Sequence, residues 1–339
     1  MKRFLVLCER DWLSPKAGAV EHYVRQVFAR ISRAGHYVAW VSHSPSGWFS
    51  RTPPRPRIEI VDGIQVARLG ARCLYRTMVR LFLARLAKSG PLAGKFDAII
   101  DCMTGCPTLV PEDLDARVLP VVFRVNKKLR GAEQPPGPVI AATSEVATQL
   151  HRVGIPNDFI VYAPFGGEPS RGGPEIEKGA VPCLMAWEPA PRPMLAAVRR
   201  LRNDGIALHV DLLTRPGRRV EGWCSLHDLR ASPTNLIPLF QRAWFGYCGV
   251  SMEWMAPAIA GWGLPVICPD TAAGREFVEN GVTGLLFNPK DRAQLCEVLA
   301  RLSKDEVLRK RFAARARERA LEESWDKTAE IVLKTIERL

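Results

Sequence analysis

The sequence predicts an α/β fold made of two doubly wound domains, each built on a parallel sheet. Strand-like and helix-like segments alternate from residue 4 to residue 153, and the same alternation begins again at residue 183. Repeated strand–helix units of this kind favour a parallel sheet that is covered by helices on both faces. Pro164 to Lys178 is rich in Pro and Gly, which is typical of a linker.

These observations predict an N-terminal domain over residues 1–164, a linker over 165–178 and a C-terminal domain over 179–322. A closing helical segment follows over 323–339, and packing against the first domain is one option for it. The length of 339 residues suits two domains of ordinary size.

In the first half, strands are predicted at Phe4–Cys8, Tyr37–Ser42, Ala98–Asp101, Leu119–Phe123 and Val139–Ala142. Helices are predicted at Val20–Ala34, at residues 75–88, and from Ser144, as N-cap, to Val153. Asp62-Gly63 is a hairpin turn signal between Ile58–Ile60 and Gln65–Arg68, and the Pro- and Arg-rich stretch Arg51–Arg57 is a loop.

In the second half, strands are predicted at Cys183–Trp187, Leu208–Leu213, Phe245–Gly249 and Pro265–Cys268. Helices are predicted at Met194–Asn203, Asn235–Ala243, Ser251–Trp262, Ala272–Glu279, Arg292–Leu302, Asp305–Leu321 and Trp325–Leu339.

The charge balance and the cysteines narrow the classes of function. Lys and Arg outnumber Asp and Glu by 48 to 35, a net charge of +13, which favours anionic partners. Without zinc-finger spacing or an aromatic-studded basic strand, nucleic acid is not expected among them. Nine dispersed cysteines argue for a reducing cytoplasm, and no apolar run approaches the ~20 residues of a membrane span.

The stretch from Gly261 to Leu339 resembles the C-terminal domain of the group 1 (family 4) retaining glycosyltransferases of the GT-B type. The residues that match the family pattern are Gly263, Pro265, Val266, Glu276, Gly281, Gly284 and Trp325. Gly18-Ala19-Val20-Glu21 is similar to the family's glycine loop, and Asp97–Pro107 and Ala141–Gly167 are similar to later segments of its first domain. The resemblance implies two Rossmann-like domains that face a central cleft, a nucleotide-sugar donor, and no metal or other cofactor for donor binding.

Several positions that would handle the donor in this family hold other residues. The family's arginine and lysine after the first strand of the second domain fall on Trp187 and Arg192. Its two glutamates fall on Val250 and Ala258, and a phosphate-loop glycine falls on Glu253. Glu253 either replaces a lost glutamate or is an acidic first-turn residue behind a Ser251 N-cap.

The resemblance therefore implies a candidate site with three parts. The catalytic candidates are Arg192, Glu253 and Arg124, the last at the position of the family's histidine, with Asn126 close by. The donor-binding candidates are Gly18, Ser251, Met252, Trp254, Gly274 and Glu276. The acceptor-side candidates are His43, which follows the second strand, Asp101 and Thr104.

Leu74 to Lys88 forms an amphipathic helix with Arg76, Arg80 and Lys88 across from its apolar face. It is either a helix that faces the core and carries a basic outer surface, or a peripheral anchor on anionic lipid. Two functions stay open for the whole chain. One is sugar transfer from a nucleotide-sugar to a saccharide, lipid-linked or small-molecule acceptor. The other is a catalytically inactive homologue that serves as partner subunit of another glycosyltransferase.

Overall fold

A computed structural model of the chain describes residues 1–14, 17–44, 58–70, 72–86, 92, 94–103, 110, 117–125, 137–168, 181–187, 191–214, 221–228 and 233–339. The chain divides into two compact units. Unit 1 comprises Met1–Pro164 and Trp325–Leu339, and unit 2 comprises Phe165–Ser324. The predicted loop Arg51–Arg57, Thr104, Asn126 and residues 169–178 of the predicted linker lie outside the described residues.

Unit 1 contains an eight-stranded sheet in the order β3-β4-β2-β1-β5-β6-β7-β8. Its strands are β1 (Arg3–Leu7), β2 (Tyr37–Ser42), β3 (Ile58–Val61), β4 (Ile64–Arg68), β5 (Ala98–Asp101), β6 (Val118–Val122), β7 (Val139–Ala141) and β8 (Ile160–Tyr162). All neighbours are parallel except β3 and β4, which form the predicted hairpin around Asp62-Gly63.

Helices of unit 1 cover the apolar faces that the sequence pattern provides. They are α1 (Ala19–Arg33), α2 (Tyr75–Leu86), α3 (Ser144–Arg152) and α10 (Trp325–Glu337), and α10 packs on α1. Tyr75, Val79 and Leu83 of α2 are buried with residues of β1, β2 and β5. The outcome is a parallel sheet with helical cover, as the alternating segments predicted.

Unit 2 contains a six-stranded parallel sheet in the order β11-β10-β9-β12-β13-β14. The strands are β9 (Cys183–Trp187), β10 (His209–Thr214), β11 (Cys224–Asp228), β12 (Phe245–Tyr247), β13 (Val266–Pro269) and β14 (Gly284–Phe287). The helices are α4 (Pro191–Asn203), α5 (Pro233–Arg242), α6 (Ala256–Gly261), α7 (Ala272–Phe277), α8 (Arg292–Lys304) and α9 (Glu306–Glu322). The predicted α/β class with two parallel-sheet domains is confirmed.

The structure corrects two predicted helix starts. The N-cap of α3 is Thr143, whose hydroxyl accepts from Val146 N at 3.2 Å, and Ser144 is the first helical residue. The predicted helix Ser251–Trp262 begins instead with a 3₁₀ turn at Glu253–Met255 and continues as α6. Ser251 has a φ of 70°, so this left-handed residue is not a helix N-cap.

Candidate functional site

Ligands of doubly wound sheets bind outside the carboxyl ends of the strands, where the strand order reverses. In unit 1 the order reverses between β1 and β5. In unit 2 it reverses between β9 and β12, because β10 and β11 lie on one side of β9 while β12 to β14 lie on the other. The topology of each unit thus identifies one candidate edge. Asp101 ends β5 at the edge in unit 1, and Glu253 lies in the loop after β12 at the edge in unit 2.

In unit 2, the loop after β12 holds a buried carboxylate. Glu253 is 6% exposed, and its Oε1 accepts a hydrogen bond from the Thr271 hydroxyl at 3.1 Å. Met252 is buried beside it, whereas Ser251 is exposed and Val250 is 47% exposed. An apolar side chain therefore reaches solvent at one position where the family resemblance implies a glutamate.

Thr271, which the sequence reading missed, joins this loop to the end of β13. It is the N-cap of α7. Its hydroxyl oxygen accepts a hydrogen bond from Gly274 N at 3.0 Å, and the same hydroxyl donates a hydrogen bond to Glu253. A Cβ on Gly274 would lie 1.9 Å from the Pro269 carbonyl oxygen, so only glycine fits there. A threonine three residues before that glycine was the available signal for the cap.

The other unit 2 positions named from the sequence differ in burial. Glu276 is half-buried on α7, and its carbonyl accepts from Arg319. Trp254 is half-buried, with its ring 6.3 Å from that of Phe165. Trp187 is buried at the end of β9, and Arg192 is exposed in the first turn of α4. Ala258 lies half-buried on α6. Because alanine and valine have apolar side chains, neither Ala258 nor Val250 offers a side-chain hydrogen bond.

In unit 1, a backbone N–H group of the glycine loop is bound by the Glu21 side chain of the helix that follows it. Gly18 N donates to Glu21 Oε2 at 2.8 Å, and Arg10 donates to Glu21 Oε1 at 3.5 Å. Glu21 is buried, so the carboxylate occupies the position near the helix N-terminus that an anion would favour. A phosphate that binds at Gly18 would have to displace Glu21 from this amide.

Asp101 ends β5 next to this loop and is fully buried. Its Oδ1 accepts from Met103 N at 2.8 Å. Cys8 and Cys102 follow β1 and β5, and burial, reinforced by Glu21, raises the pKa of both thiols well above the usual range. These thiols are therefore poor nucleophiles at neutral pH.

His43 follows β2 and is buried against the edge of the Tyr75 ring, with the ring centroids 6.0 Å apart. Its Nδ1 lies 2.9 Å from the Ser44 carbonyl, which can only accept, so Nδ1 carries the proton. Nε2 is buried and has no hydrogen-bond partner among the described residues. Arg124, by contrast, is exposed just beyond β6.

The sequence reading also missed a buried ion pair at the carboxyl ends of β1 and β4. Arg68 Nε donates to Asp11 Oδ2 at 2.7 Å, and both side chains are almost fully buried. Asp11 further accepts from Ser42 Oγ at 3.2 Å, and Arg68 contacts Glu59 at 2.5 Å. The network fixes the start of the loop that leads to Gly18. No spacing rule would have paired residues 57 positions apart.

Residues 259–319, from α6 through most of α9, match the family model described as glycosyl transferases group 1. Among the curated proteins, none matches the sequence significantly.

Solved structures share the fold over nearly the whole chain. Sucrose-phosphate synthase from Thermosynechococcus elongatus is 13% identical, with a TM-score of 0.68 over 100% of this chain and 99% of that one. A glycosyltransferase from Rickettsia africae is 13% identical, with a TM-score of 0.71 over 99% and 98%. Anabaena HepE, solved in complex with UDP-glucose, is 12% identical, with a TM-score of 0.68 over 100% of both chains. The GT-B architecture that the motifs predicted is confirmed.

Among the described residues, no helix combines the length and hydropathy that crossing a bilayer requires. The same part of the chain contains no cluster of three or more His, Cys, Asp or Glu side chains that could hold a metal ion.

Proposed function

We propose that the protein is a glycosyltransferase that moves a sugar from a nucleotide-sugar donor to a hydroxyl-bearing acceptor. The proposal rests on the hydrogen-bonded pair of Glu253 and Thr271 at the carboxyl edge of the unit 2 sheet. Thr271 lies inside the segment that matches the group 1 model, and Glu253 lies just before that segment. Anabaena HepE, with the same fold, has been solved with UDP-glucose, which supports a nucleotide-sugar as donor.

The chemistry requires groups that hold the donor and stabilise the diphosphate as the sugar leaves. Glu253 could accept hydrogen bonds from sugar or ribose hydroxyls, and Arg192 supplies an exposed cation in the first turn of α4. Arg124, Gly18, Met252, Trp254, Gly274 and Glu276 complete the proposed donor and catalytic set. His43, Asp101 and Thr104 form the proposed acceptor side.

Donor binding is tested by calorimetric titration of the purified chain with UDP-, GDP- and ADP-sugars, with and without EDTA. We expect binding to one of them, unaffected by EDTA and weakened about tenfold in Glu253→Gln, because one hydrogen bond to a charged acceptor is lost. Arg192→Ala should weaken binding similarly, while Arg200→Ala, an exposed arginine of the same helix, should not. Absence of binding by every nucleotide-sugar would refute the proposal.

A second candidate function is a catalytically inactive subunit that supports another glycosyltransferase. It is favoured by the exposed Val250, by Ala258, and by the occupied amide of Gly18, which leave the family's polar positions without matching groups. Co-purification with an active transferase, without any nucleotide-sugar hydrolysis or transfer by the isolated chain, would establish it. Sugar transfer by the isolated chain would exclude it.

Retention of the anomeric configuration is proposed on the family resemblance alone. NMR of the first transfer product will show whether the donor's anomeric configuration is kept. An inverted product would contradict this part of the proposal and leave sugar transfer itself standing.

A peripheral attachment to anionic membranes is proposed for the outer face of α2. Leu74 is 58% exposed and Leu81 is 49% exposed, and Arg76, Arg80 and Arg85 are exposed around them. The helix has no acidic residue, so its outer face matches the charge of anionic lipid and can bury leucine between headgroups.

Cosedimentation with vesicles of phosphatidylcholine and phosphatidylglycerol tests this attachment. Changing Arg76, Arg80 and Arg85 together to Gln should cost roughly 3 kcal/mol of binding, at about 1 kcal/mol for each charge. The same change at Arg200, Arg301 and Arg311, which are exposed in unit 2, is the matched control. Equal binding to pure phosphatidylcholine vesicles would contradict the electrostatic part.

A further inference from the structure

A polar concavity of about 500 Å³ lies at the carboxyl ends of β13 and β14 in unit 2. Its lining includes three side-chain amides, Asn280, Asn288 and Gln294, and none of them belongs to the proposed donor or acceptor set. A volume of this size accommodates a small ligand.

The three amides share one arrangement. The oxygen of each is held by a main-chain N–H: Asn280 Oδ1 by Leu286 N at 2.9 Å, Asn288 Oδ1 by Lys290 N at 3.0 Å, and Gln294 Oε1 by Asn288 N at 2.6 Å. Each oxygen is thereby fixed, so each NH₂ group is presented in a set orientation as a hydrogen-bond donor. No protein acceptor engages these NH₂ groups within the described residues.

Acceptors lie beside these donors. Asp270 and Glu279 line the same concavity, and Asp270 is bridged by Arg275 through hydrogen bonds of 2.5 and 3.1 Å. With two carboxylates and one guanidinium, the lining has no net positive charge, which disfavours an anionic ligand. Val278 and Leu286 add an apolar part to the lining.

We propose that this concavity is a saccharide-binding site. A sugar hydroxyl donates one hydrogen bond and accepts others, so vicinal hydroxyls match a concavity that is lined by both fixed amide donors and carboxylate acceptors. Val278 is buried, but the partly exposed Leu286 side chain can contact the C–H face of a pyranose ring. Such a site would hold part of a glycan through residues separate from those proposed for the donor, so it does not require the chain to be catalytically active.

Asn→Asp and Gln→Glu changes test the site with little disturbance to the fold. The triple variant Asn280→Asp, Asn288→Asp, Gln294→Glu keeps every oxygen that binds the main chain and removes every NH₂ donor. Asn203→Asp, at the exposed end of α4 in the same unit, is the control for added negative charge. Thermal unfolding of each variant checks that the fold is retained, and Gln294→Glu alone serves if the triple variant unfolds.

The labelled full-length chain is applied to a printed glycan array, and the best glycan is then titrated by calorimetry. We expect a defined subset of glycans to bind, with affinity reduced about tenfold or more in the triple variant and unchanged in Asn203→Asp. Glu253→Gln should retain glycan binding, which separates this site from the proposed donor site. No bound glycan, or equal binding by the triple variant, would overturn the proposal whatever the outcome with nucleotide-sugars.

Discussion

The glycines that carry the family resemblance in unit 2 are residues that the backbone geometry requires. Gly263 and Gly281 have φ values of 68° and 79°, in the left-handed region that favours glycine. A Cβ on Gly274 or Gly284 would lie within 2.0 Å of a carbonyl oxygen. These matches therefore report how the second sheet is built, and they survive even where polar positions of the site have changed.

Gly274→Ala is expected to destabilise the protein. The added methyl group would overlap the Pro269 carbonyl, and relief would require the start of α7 to move, at a cost of about 2 kcal/mol. Urea unfolding measures the loss. Gly222→Ala is the control, because a Cβ there meets no atom within 4 Å, and it should be close to neutral.

Arg68→Met is expected to destabilise the protein by about 3 kcal/mol. The substitution leaves Asp11 charged and buried without its cationic partner. Lys310→Met removes the partner of Glu306 in an exposed pair and should change stability by less than about 0.5 kcal/mol. Urea unfolding measures the free energy of unfolding of both variants. An equal loss in the two would show that the buried pair stabilises the protein no more than the exposed pair does.

At this scale the sequence names candidate residues of the site but not the contacts between them. The family resemblance names Glu253, at the place of a phosphate-loop glycine, and Gly274, before Glu276, as site candidates. It could not foresee that Thr271 would donate to Glu253, because that contact depends on two loops from neighbouring strands. The sequence also predicted Ser251 as a helix N-cap, because a serine before an acidic residue is the usual signal for one. The left-handed backbone conformation of Ser251 could not be recognised from the sequence.

At the scale of elements, a polar network joins β9, β10, β11 and α5 in unit 2. Asp211 of β10 is fully buried and accepts from Arg242 Nε at 2.7 Å, from His227 Nε2 at 2.8 Å and from Cys183 Sγ at 3.0 Å. Burial alone would raise the pKa of Asp211, but these hydrogen bonds, with Arg242 first, outweigh it and hold the pKa below its ordinary value. The network replaces apolar packing at one point of the sheet.

The lowered pKa makes part of the stability dependent on pH. A carboxyl group whose pKa is lower in the folded state stabilises the protein above its unfolded pKa of about 4, and this contribution is lost as the pH falls through the folded pKa. We therefore expect Asp211→Asn to be less stable than the wild type at pH 7 and the difference to shrink below about pH 4.

Urea unfolding at pH 7 and at about pH 3 gives this comparison. Asp204→Asn, an exposed residue after α4, is the control and should differ little from the wild type at either pH. A difference for Asp211→Asn that stays constant with pH would mean that the carboxylate charge does not contribute.

Elements were predictable where periodicity was long. The helices α1, α8, α9 and α10 were predicted within a few residues, because each has a repeated apolar face. The short strands β8, β11 and β14 were missed, since three to five residues give little periodicity and their neighbours in the sheet, rather than their own pattern, make them strands.

At the scale of the whole molecule, unit 1 is assembled from both ends of the chain. Trp325 of α10 is buried, with its ring 5.6 Å from those of Tyr23 and His22 on α1. Thr328 Oγ1 donates to the Pro164 carbonyl at 2.8 Å. The last helix therefore belongs to the core of the first unit, although 160 residues of unit 2 intervene in the sequence.

Trp325→Ala is expected to destabilise unit 1 by about 3–5 kcal/mol and to leave unit 2 unaffected, because the cavity forms only in the unit 1 core. Hydrogen exchange of peptides from β1 and α1, compared with peptides from β13 and α9, separates the two effects. Leu321→Ala, at an exposed position of α9, should change neither. Equal loss of protection in both units would contradict their independence.

The completion of unit 1 by α10 affects how the chain folds during synthesis on the ribosome. Domains generally fold in the order in which they emerge, but the first unit lacks its final helix until residue 337 has been made. Unit 2, whose chain is continuous, can complete its core earlier. The start of β1 and the end of α10 then lie side by side, with Lys2 Nζ 3.2 Å from Glu337 Oε1. A circular permutant that links residue 337 to residue 2 and opens at an exposed loop of unit 2 would give unit 1 a continuous chain and reverse the order of folding.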